Sequence, residues 1–407
     1  MCAISGKINW NGIQDIDITK VEESLVEMTY RGPDFSNTQA DTYAVLGHNR
    51  LSILDLNPRS HQPMTTIDGK YSIVFNGELY NFKELKVTLE KLGKIFNGTS
   101  DTEVLLQGYV EYGSDIVHHI RGMFAFVIWN YHDKEIFAAR DRFGEKPFYY
   151  FNDSKTLSFA SNLSGIIALK NEKPAINKQA LYELISQQYI DTSSCIYEGI
   201  SKLPPACSMK MTATSFEIQP YWTANYKEKQ QGDFQTHKKQ LHHLLQESVN
   251  EQLVADVPVG LFLSGGVDSA VMTALASQQK KDITAITMSV PNNKVFDESE
   301  SASFAAKKLN IKHQIIPLDT NCVEKLPYIL KTIEPLADAS LIPTMAIAEA
   351  AHKEFRVMLS GDGGDELFGG YKRPVKYNKE SFSGNKFTQK IVTSIIKNSD
   401  YQPFKYF

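Results

Sequence analysis

From residue 257 onward, short apolar runs alternate with helical patterns, and this alternation limits the fold more than any other feature of the chain. Residues 257–263, 283–290, 313–318 and 356–359 are apolar runs of strand length. Residues 268–277, 298–309 and 343–353 have helical spacing, the last with Pro343 where a first turn tolerates it. Strand and helix in strict turn predict a parallel sheet wound with helices, and ligands of such sheets bind beyond the carboxyl ends of the strands. Two glycine-rich loops fall at such ends. Ser264-Gly265-Gly266-Val267-Asp268-Ser269 lets the backbone approach an anion, with hydroxyls and helix N–H groups to bind phosphate and Asp268 to hold Mg²⁺. It lacks the GxxxxGK[ST] pattern, so it is not a Walker A loop. Ser360 to Tyr371 has five glycines and three acids in twelve residues, a composition suited to a metal–phosphate complex. The plainer readings are a glycine turn for the first loop and a solvated acidic turn for the second.

The first half of the chain has a different character. Residues 43–46, 71–75, 123–129, 136–139 and 147–151 are apolar or aromatic runs between turn signals and read as strands. Helical patterns interrupt them at 82–92 and 102–112, which predicts an α+β layered domain. A polar, charged stretch at 223–239 is a linker or the exposed start of a helix. The expected division is 1–210, a connecting segment 211–239, and a second domain 240–407.

The formal net charge of −4 gives no electrostatic case for nucleic acid or an anionic membrane, so neither is an expected partner. No apolar run approaches the ~20 residues of a membrane helix, and residues 1–30 do not read as a secretory signal. Four cysteines (Cys2, Cys195, Cys207 and Cys322) with no Cys-x-x-Cys pair suggest neither a disulfide scaffold nor a zinc site, which fits a reducing cytoplasm.

Cys2 follows the initiator methionine. Removal of Met1 would place a thiol and a free α-amine on one residue, and an amine titrating near pH ~8 can serve as general base. The plainer reading is a small residue after the start.

Taken in order, the motifs resemble the glutamine-dependent asparagine synthetases. The matching residues are Cys2, Arg31 to Asp34, Gly47 to Ile53, Phe75 to Asn81, Ser100 to Glu103, Ala139 to Gly144, then SGGVDS and SGDGGDE. The resemblance implies an Ntn-type αββα sandwich (a class II glutamine amidotransferase) followed by an α/β parallel-sheet PP-loop domain that uses ATP, incomplete in this chain. It implies Cys2 as nucleophile with Asn76 and Gly77 as oxyanion hole. Arg50 would pair with the glutamine α-carboxylate, Glu78 and Asp101 would hold its α-ammonium, and Leu51 and Ile53 would frame the pocket. Leu263, Ser264, Gly265, Gly266, Val267, Asp268, Ser269, Met288, Ser360 and Gly361 would contact ATP. Asp362 would act in adenylate formation, and Asp268 and Asp365 would hold Mg²⁺. Glutamine, aspartate and ATP are the implied substrates, a homodimer the implied assembly, and an internal tunnel the implied route for ammonia.

Beside these roles, Arg31 and Asp34 read equally well as structural, fixing the loop over the site. Arg140, Asp141 and Arg142 read as a buried charge network, and His48 as a packed histidine. His118 and His119 lack metal-like spacing. Three departures stand out. Ala3 replaces the family's usual glycine, Asp362 stands where many members carry glutamate, and the family continues well over a hundred residues beyond Phe407. The stretch 372–407 is polar and basic and offers no replacement for a lysine of that missing part. An amidotransferase for another carboxylate, such as a polysaccharide uronic acid, and a non-synthetic fragment are the alternative readings.

Overall fold

A computed structural model describes residues 1–371, apart from 154, 228–229, 292, 294–295, 320–323, 325, 333–334, 336–337 and 339. Cys322 and the stretch 372–407 lie outside the described residues.

The chain begins β1 (Ala3–Asn9), α1 (Asp15–Glu27), β2 (Phe35–Ala40), β3 (Ala44–Arg50), β4 (Met64–Thr65) and β5 (Tyr71–Leu79). It continues through α2 (Phe82–Lys91), α3 (Asp101–Tyr112), α4 (Ile116–His119), β6 (Gly122–Asn130), β7 (Glu135–Arg140), β8 (Tyr149–Asn152) and β9 (Thr156–Ala160). Then follow α5 (Leu163–Ala168), α6 (Lys178–Gln187), β10 (Ser201–Lys202), β11 (Cys207–Met211) and β12 (Phe216–Pro220). The strands form two antiparallel six-stranded sheets, ordered β10-β8-β9-β1-β3-β2 and β12-β11-β7-β6-β5-β4.

Hydrophobic alternation explains the layering. Inward residues of both sheets, including Ile4, Leu46, Val74, Val127, Trp129 and Phe159, meet in one core between them. The outer face of the first sheet packs on α1 and α5 through Val21, Leu25, Met28 and Ile166. The outer face of the second packs on α2 and α3 through Leu85, Leu89, Val104 and Leu105. Because both faces of each sheet are covered, β3 and most of β6 are buried throughout rather than in alternation. This is the αββα sandwich, and it carries one strand more than the expected boundary at residue 210 allows. The strand β12 pairs with β11 in antiparallel register, Cys207 opposite Pro220. It is an edge strand with mostly exposed residues, so it lacks an apolar pattern to mark it.

The segment expected to connect the domains, 211–239, divides in the same way. Asp233 caps α7 (Phe234–Gln252) by accepting from the Thr236 N–H, so the helix starts inside it. Beyond α7 the elements are β13 (Val259–Phe262), α8 (Val267–Gln279), β14 (Thr284–Ser289), α9 (Ser299–Leu309), β15 (Lys312–Pro317), α10 (Leu326–Thr332), α11 (Leu341–Ala351), β16 (Val357–Leu359) and α12 (Gly364–Phe368). The strands form a parallel sheet ordered β15-β14-β13-β16. Its core joins Leu261, Leu275, Ala285, Ala302 and Leu359. Among the described residues, no helix is long and apolar enough to cross a membrane.

One buried carboxylate fixes the loop after β7. Asp141 accepts from the backbone N–H groups of Phe124, Phe143, Glu145 and Lys146. Arg140 donates to the carbonyls of Gly144, Lys146 and Leu203. Arg142 donates to the carbonyl of Ile120. These charged residues thus form the buried network expected of them. Asp141→Ala strands several buried N–H groups at once, and is expected to lower unfolding free energy by about 3 kcal/mol in a denaturant titration followed by tryptophan fluorescence.

Candidate active sites

The first site forms where β1 begins. Its neighbours on either side are β3 and β9, so the chain's first residues stand at the middle of a sheet. Ala3 pairs opposite Asn49 and is fully buried. It does not have the positive φ that would require glycine, which explains how alanine is accommodated there.

Cys2 Sγ faces the Leu51 main chain, which donates an N–H to it at 3.4 Å. Burial pushes the thiol's pKa up, so it rests protonated and needs a base before it can attack. Burial brings the neighbouring N-terminal amine down to about 6; the Cys2 charge opposes this, and the Arg31 and Lys146 cations add to it. The amine is that of Met1, and its lowering shows that the space beside Cys2 favours a neutral amine next to a protonated thiol.

Around Cys2 lies a pocket lined by Arg50, Leu51, Ile53, Gly77, Glu78 and Asp101 among others. Arg50 is held from behind by the carbonyls of Leu54 and Asn57, at 3.2 and 3.1 Å. Opposite in charge stand Glu78 and Asp101. Burial raises both, and for Glu78 the Asp101 charge adds to the effect; Asp101 reaches about 6 although the Leu79 N–H donates to it. One end of the pocket is cationic and the other holds two carboxyl groups that disfavour each other's charge, a pattern complementary to an α-amino acid, whose ammonium would relieve that repulsion. Asn76 is fully buried, and neither its Nδ2 nor its Oδ1 has a hydrogen-bond partner. An orphaned amide is costly unless a ligand completes it. At Gly77 a Cβ would lie 2.3 Å from the Met123 carbonyl oxygen, so only glycine lets β5 and β6 close here.

Other predicted residues act at one remove. Arg31 Nε donates to the Cys2 carbonyl at 3.0 Å. Asp34 accepts from the Ser52 N–H and pairs with Arg356 of the second domain. Arg31 therefore holds Cys2, and Asp34 the loop beside it. His48 is buried with Nε2 on the Phe75 carbonyl oxygen, and burial lowers its pKa to about 3, so it stays neutral. His119 stacks on Tyr112, and His118 meets Tyr221 edge-on. Lys146, whose side chain enters this site, was missed by sequence reasoning; the signal available was its place two residues after the Arg140–Gly144 motif.

The second site lies beyond β13 and β16. Leu263 continues β13 by donating its N–H to the Ile286 carbonyl. Ser264 and Ser269 join their hydroxyls at 2.8 Å, and the Gly266 N–H points at Ser264 Oγ. The Gly265 N–H donates to the Glu298 carboxylate at 2.9 Å, so this loop already presents a donor to an anionic oxygen. Glu298 too went unnoticed in the sequence, because nothing in its spacing ties it to a loop 33 residues earlier.

The two glycine loops pack together. A Cβ on Gly361 would lie 2.7 Å from the Ser269 nitrogen, and one on Gly364 would lie 2.6 Å from Asp268 Cγ. Asp268 therefore stands against the start of α12, which carries Asp365. Ser360 Oγ donates to Asp362 at 2.9 Å. Met288 is on β14, next to the strand that feeds the loop. Among the described residues, no cluster of three or more His, Cys, Asp or Glu could hold a metal alone. Two carboxylates with phosphate oxygens and water making up the rest match what Mg²⁺ accepts, so these residues fit that ion.

A cavity of about 430 Å³ is lined both by residues of the first site and by the start of the loop after β16. Met1, Cys2, Asn76 and Glu78 line it at one end, Leu359, Ser360 and Asp362 at the other, with Met123, Val254, Ala255 and Met358 between. Two contacts brace the domains beside it. The Asp256 N–H donates to the Ile53 carbonyl at 2.9 Å, and the Asp256 carboxylate accepts from the Asp55 N–H at 2.8 Å.

Comparison with known proteins agrees with this geometry. Residues 1–222 match the family model described as a glutamine amidotransferase domain, and residues 240–400 match the model described as asparagine synthase. A putative glutamine-hydrolysing asparagine synthetase 2 of Methanocaldococcus jannaschii is 34% identical over 400 residues, covering 91% of this chain and 76% of that protein. The chain belongs to the glutamine-hydrolysing asparagine synthetase family. Asparagine synthetases 1 and 3 of Bacillus subtilis are 35% and 32% identical over 91% of the chain. The chain spans 59% and 63% of the length of those two relatives.

The paired carboxylates lead to a prediction about pH. The folded-state pKa of Asp101 is raised, so its contribution to stability is present at low pH and is lost as pH rises through about 6. Asp101→Asn keeps an acceptor for the Leu79 N–H and is expected to stabilise the ligand-free protein at pH ~7.5 by about 1–3 kcal/mol. The same variant should bind an α-amino acid ligand more weakly, by about ten-fold or more. Thermal unfolding with and without glutamine checks both.

Proposed function

We propose that this chain is a glutamine-dependent asparagine synthetase. Its first domain hydrolyses glutamine to glutamate and ammonia; its second uses ATP to activate the aspartate β-carboxylate as an acyl-adenylate, which ammonia converts to asparagine and AMP. The observation that carries this reading is the cavity joining Cys2 to the Ser360–Asp362 loop. A bifunctional enzyme needs such a passage, because ammonia released into water is mostly protonated and no longer nucleophilic.

In the first domain Cys2 Sγ attacks the side-chain amide carbon while its own α-amine takes the thiol proton. The Asn76 amide and the Gly77 N–H face the developing oxyanion. Arg50 takes the α-carboxylate, and Glu78 with Asp101 takes the α-ammonium. Leu51 and Ile53 close the pocket wall. The proton on the α-amine then leaves with the amide nitrogen, and water cleaves the thioester.

In the second domain Ser264, Gly265, Gly266, Val267 and Ser269 bind the pyrophosphate part of ATP, by hydroxyl and backbone N–H groups. Leu263, Met288, Ser360 and Gly361 contact the nucleotide. Asp268 and Asp365 would hold Mg²⁺, which when bound neutralises phosphate charge. Asp362 acts where the adenylate forms, oriented by Ser360 Oγ. The work takes place in the cytoplasm, and a homodimer is the assembly proposed.

Two substitutions test the halves separately. Cys2→Ala is expected to abolish glutamine hydrolysis and leave ammonia-dependent pyrophosphate release unchanged; continued hydrolysis would remove Cys2 as nucleophile. Asp268→Asn is expected to remove Mg²⁺-dependent ATP use, measured as pyrophosphate with asparagine quantified alongside, and to spare glutaminase turnover. Unchanged ATP use would exclude the metal role.

A further inference from the structure

Lys146 is only 4% exposed, an unusual place for an ammonium group. Its backbone is pinned on both sides: the N–H donates to Asp141 at 2.9 Å and the carbonyl accepts from Arg140 Nε at 2.7 Å. Its side chain lines the cavity beside Cys2 and Glu78. There Nζ donates to the sulfur of Met1 at 2.8 Å. Removal of Met1 takes that acceptor away and puts the new α-amine on Cys2, which lines the same cavity as Lys146. A buried cation held rigidly beside an amine penalises a second positive charge there.

We propose that Lys146 is a positioning residue for the nucleophile: its fixed ammonium keeps the α-amine of processed Cys2 unprotonated, ready to take the thiol proton. This inference rests on the reading of Cys2 as an N-terminal nucleophile. The proton balance is closed within the site. The thiol proton moves to the α-nitrogen as the Sγ–C bond forms, and departs with the amide nitrogen as the C–N bond breaks, releasing neutral ammonia. An α-amine already protonated cannot begin this sequence.

The charges around the amine explain why a dedicated cation is needed. Glu78 from β5 favours a protonated amine, Asp101 from the start of α3 acts on the adjacent Cys2 thiol, and Asp141 and Glu145 in the loop after β7 face Lys146 itself. The Cys2 thiol and the Tyr80 hydroxyl are neutral at rest. Arg31 opposes the carboxylates from the loop after α1, where its Nη2 is buried without a partner. From the second domain, Arg356 and Asp362 line the far part of the cavity with opposite signs. Arg31 and Lys146 are thus the cations set against the acids at this end.

The test is the pH profile of glutaminase kcat/KM on the full chain, with loss of Met1 verified by mass spectrometry. Lys146→Met is expected to shift the acid limb upward by about one pH unit, giving about ten-fold lower activity on that limb and converging with wild type at high pH, with KM little changed. Lys146→Arg should return the limb towards wild type. A uniform loss at every pH, or an unmoved limb, would overturn the proposal. A second measurement is independent of activity: the pH dependence of α-amine carbamylation by cyanate, in a Cys2→Ala background with and without Lys146→Met. The amine should titrate about one unit higher without the lysine, and equal titration would overturn the role. If wild type hydrolyses no glutamine while carbamylation shifts as expected, the Cys2 reading fails and the electrostatic one stands.

Discussion

Everything in the first domain follows from putting the chain's own beginning at the centre of a sheet. A terminus usually frays, because nothing holds it on one side. Here β1 is hydrogen-bonded to β3 and β9, so the residue before Ala3 is held as firmly as an interior strand position. That firmness gives Cys2 a fixed relation to Leu51 on one side and to Asn76 and Gly77 of β5 on the other. It also buries the amine and the thiol together, which pushes the two groups towards their neutral forms. Burial, more than any single partner, sets the state of both the Met1 amine and the Cys2 thiol.

The acidic end of the pocket works against folding in the empty protein. Two carboxylates in a confined space, each raised by desolvation, are an arrangement a purely structural site would avoid. Asn76, with both ends of its amide unpartnered, adds to that cost. The site is incomplete without a ligand carrying an ammonium group and an acceptor for the amide, and binding would relieve groups that folding left strained electrostatically.

How much of this was visible in the sequence depends on how each element is stabilised. The strands and helices of the second domain are driven by burial on both faces of a sheet, so 284–289 and 299–309 matched the apolar and helical runs within a residue or two. In the first domain β5, β6 and α2 were legible for the same reason. The strands β1, β2 and β12 were not. The first of these carries Ser5, Gly6 and Lys7 among its apolar residues; β2 and β12 are edge strands whose exposed side chains follow no period. The ordered motifs lie close in space: Cys2, Arg50, Gly77, Glu78 and Asp101 line one pocket, and Asn76 lines the cavity next to it. Lys146 and Glu298 were beyond reach, because their importance comes from a sulfur 145 residues away and from a loop N–H 33 residues away. Neither separation leaves a mark on local composition.

Unlike the Asp34–Arg356 ion pair, the Asp256 brace between the domains addresses the main chain of the first domain rather than its side chains. Asp256 gives its N–H to one carbonyl of the 53–55 segment and takes an N–H from another residue of it, an exchange indifferent to what Ile53 and Asp55 carry beyond Cβ. Recognition of this kind tolerates drift on the recognised side. All it asks of the second domain is one carboxylate and one N–H, both supplied by Asp256 four residues beyond the end of α7. The side chains of Leu51 and Ile53 are left to line the pocket. At Asp256 the joint between the domains and the wall of the pocket draw on different atoms of the same segment, so a change in one need not disturb the other.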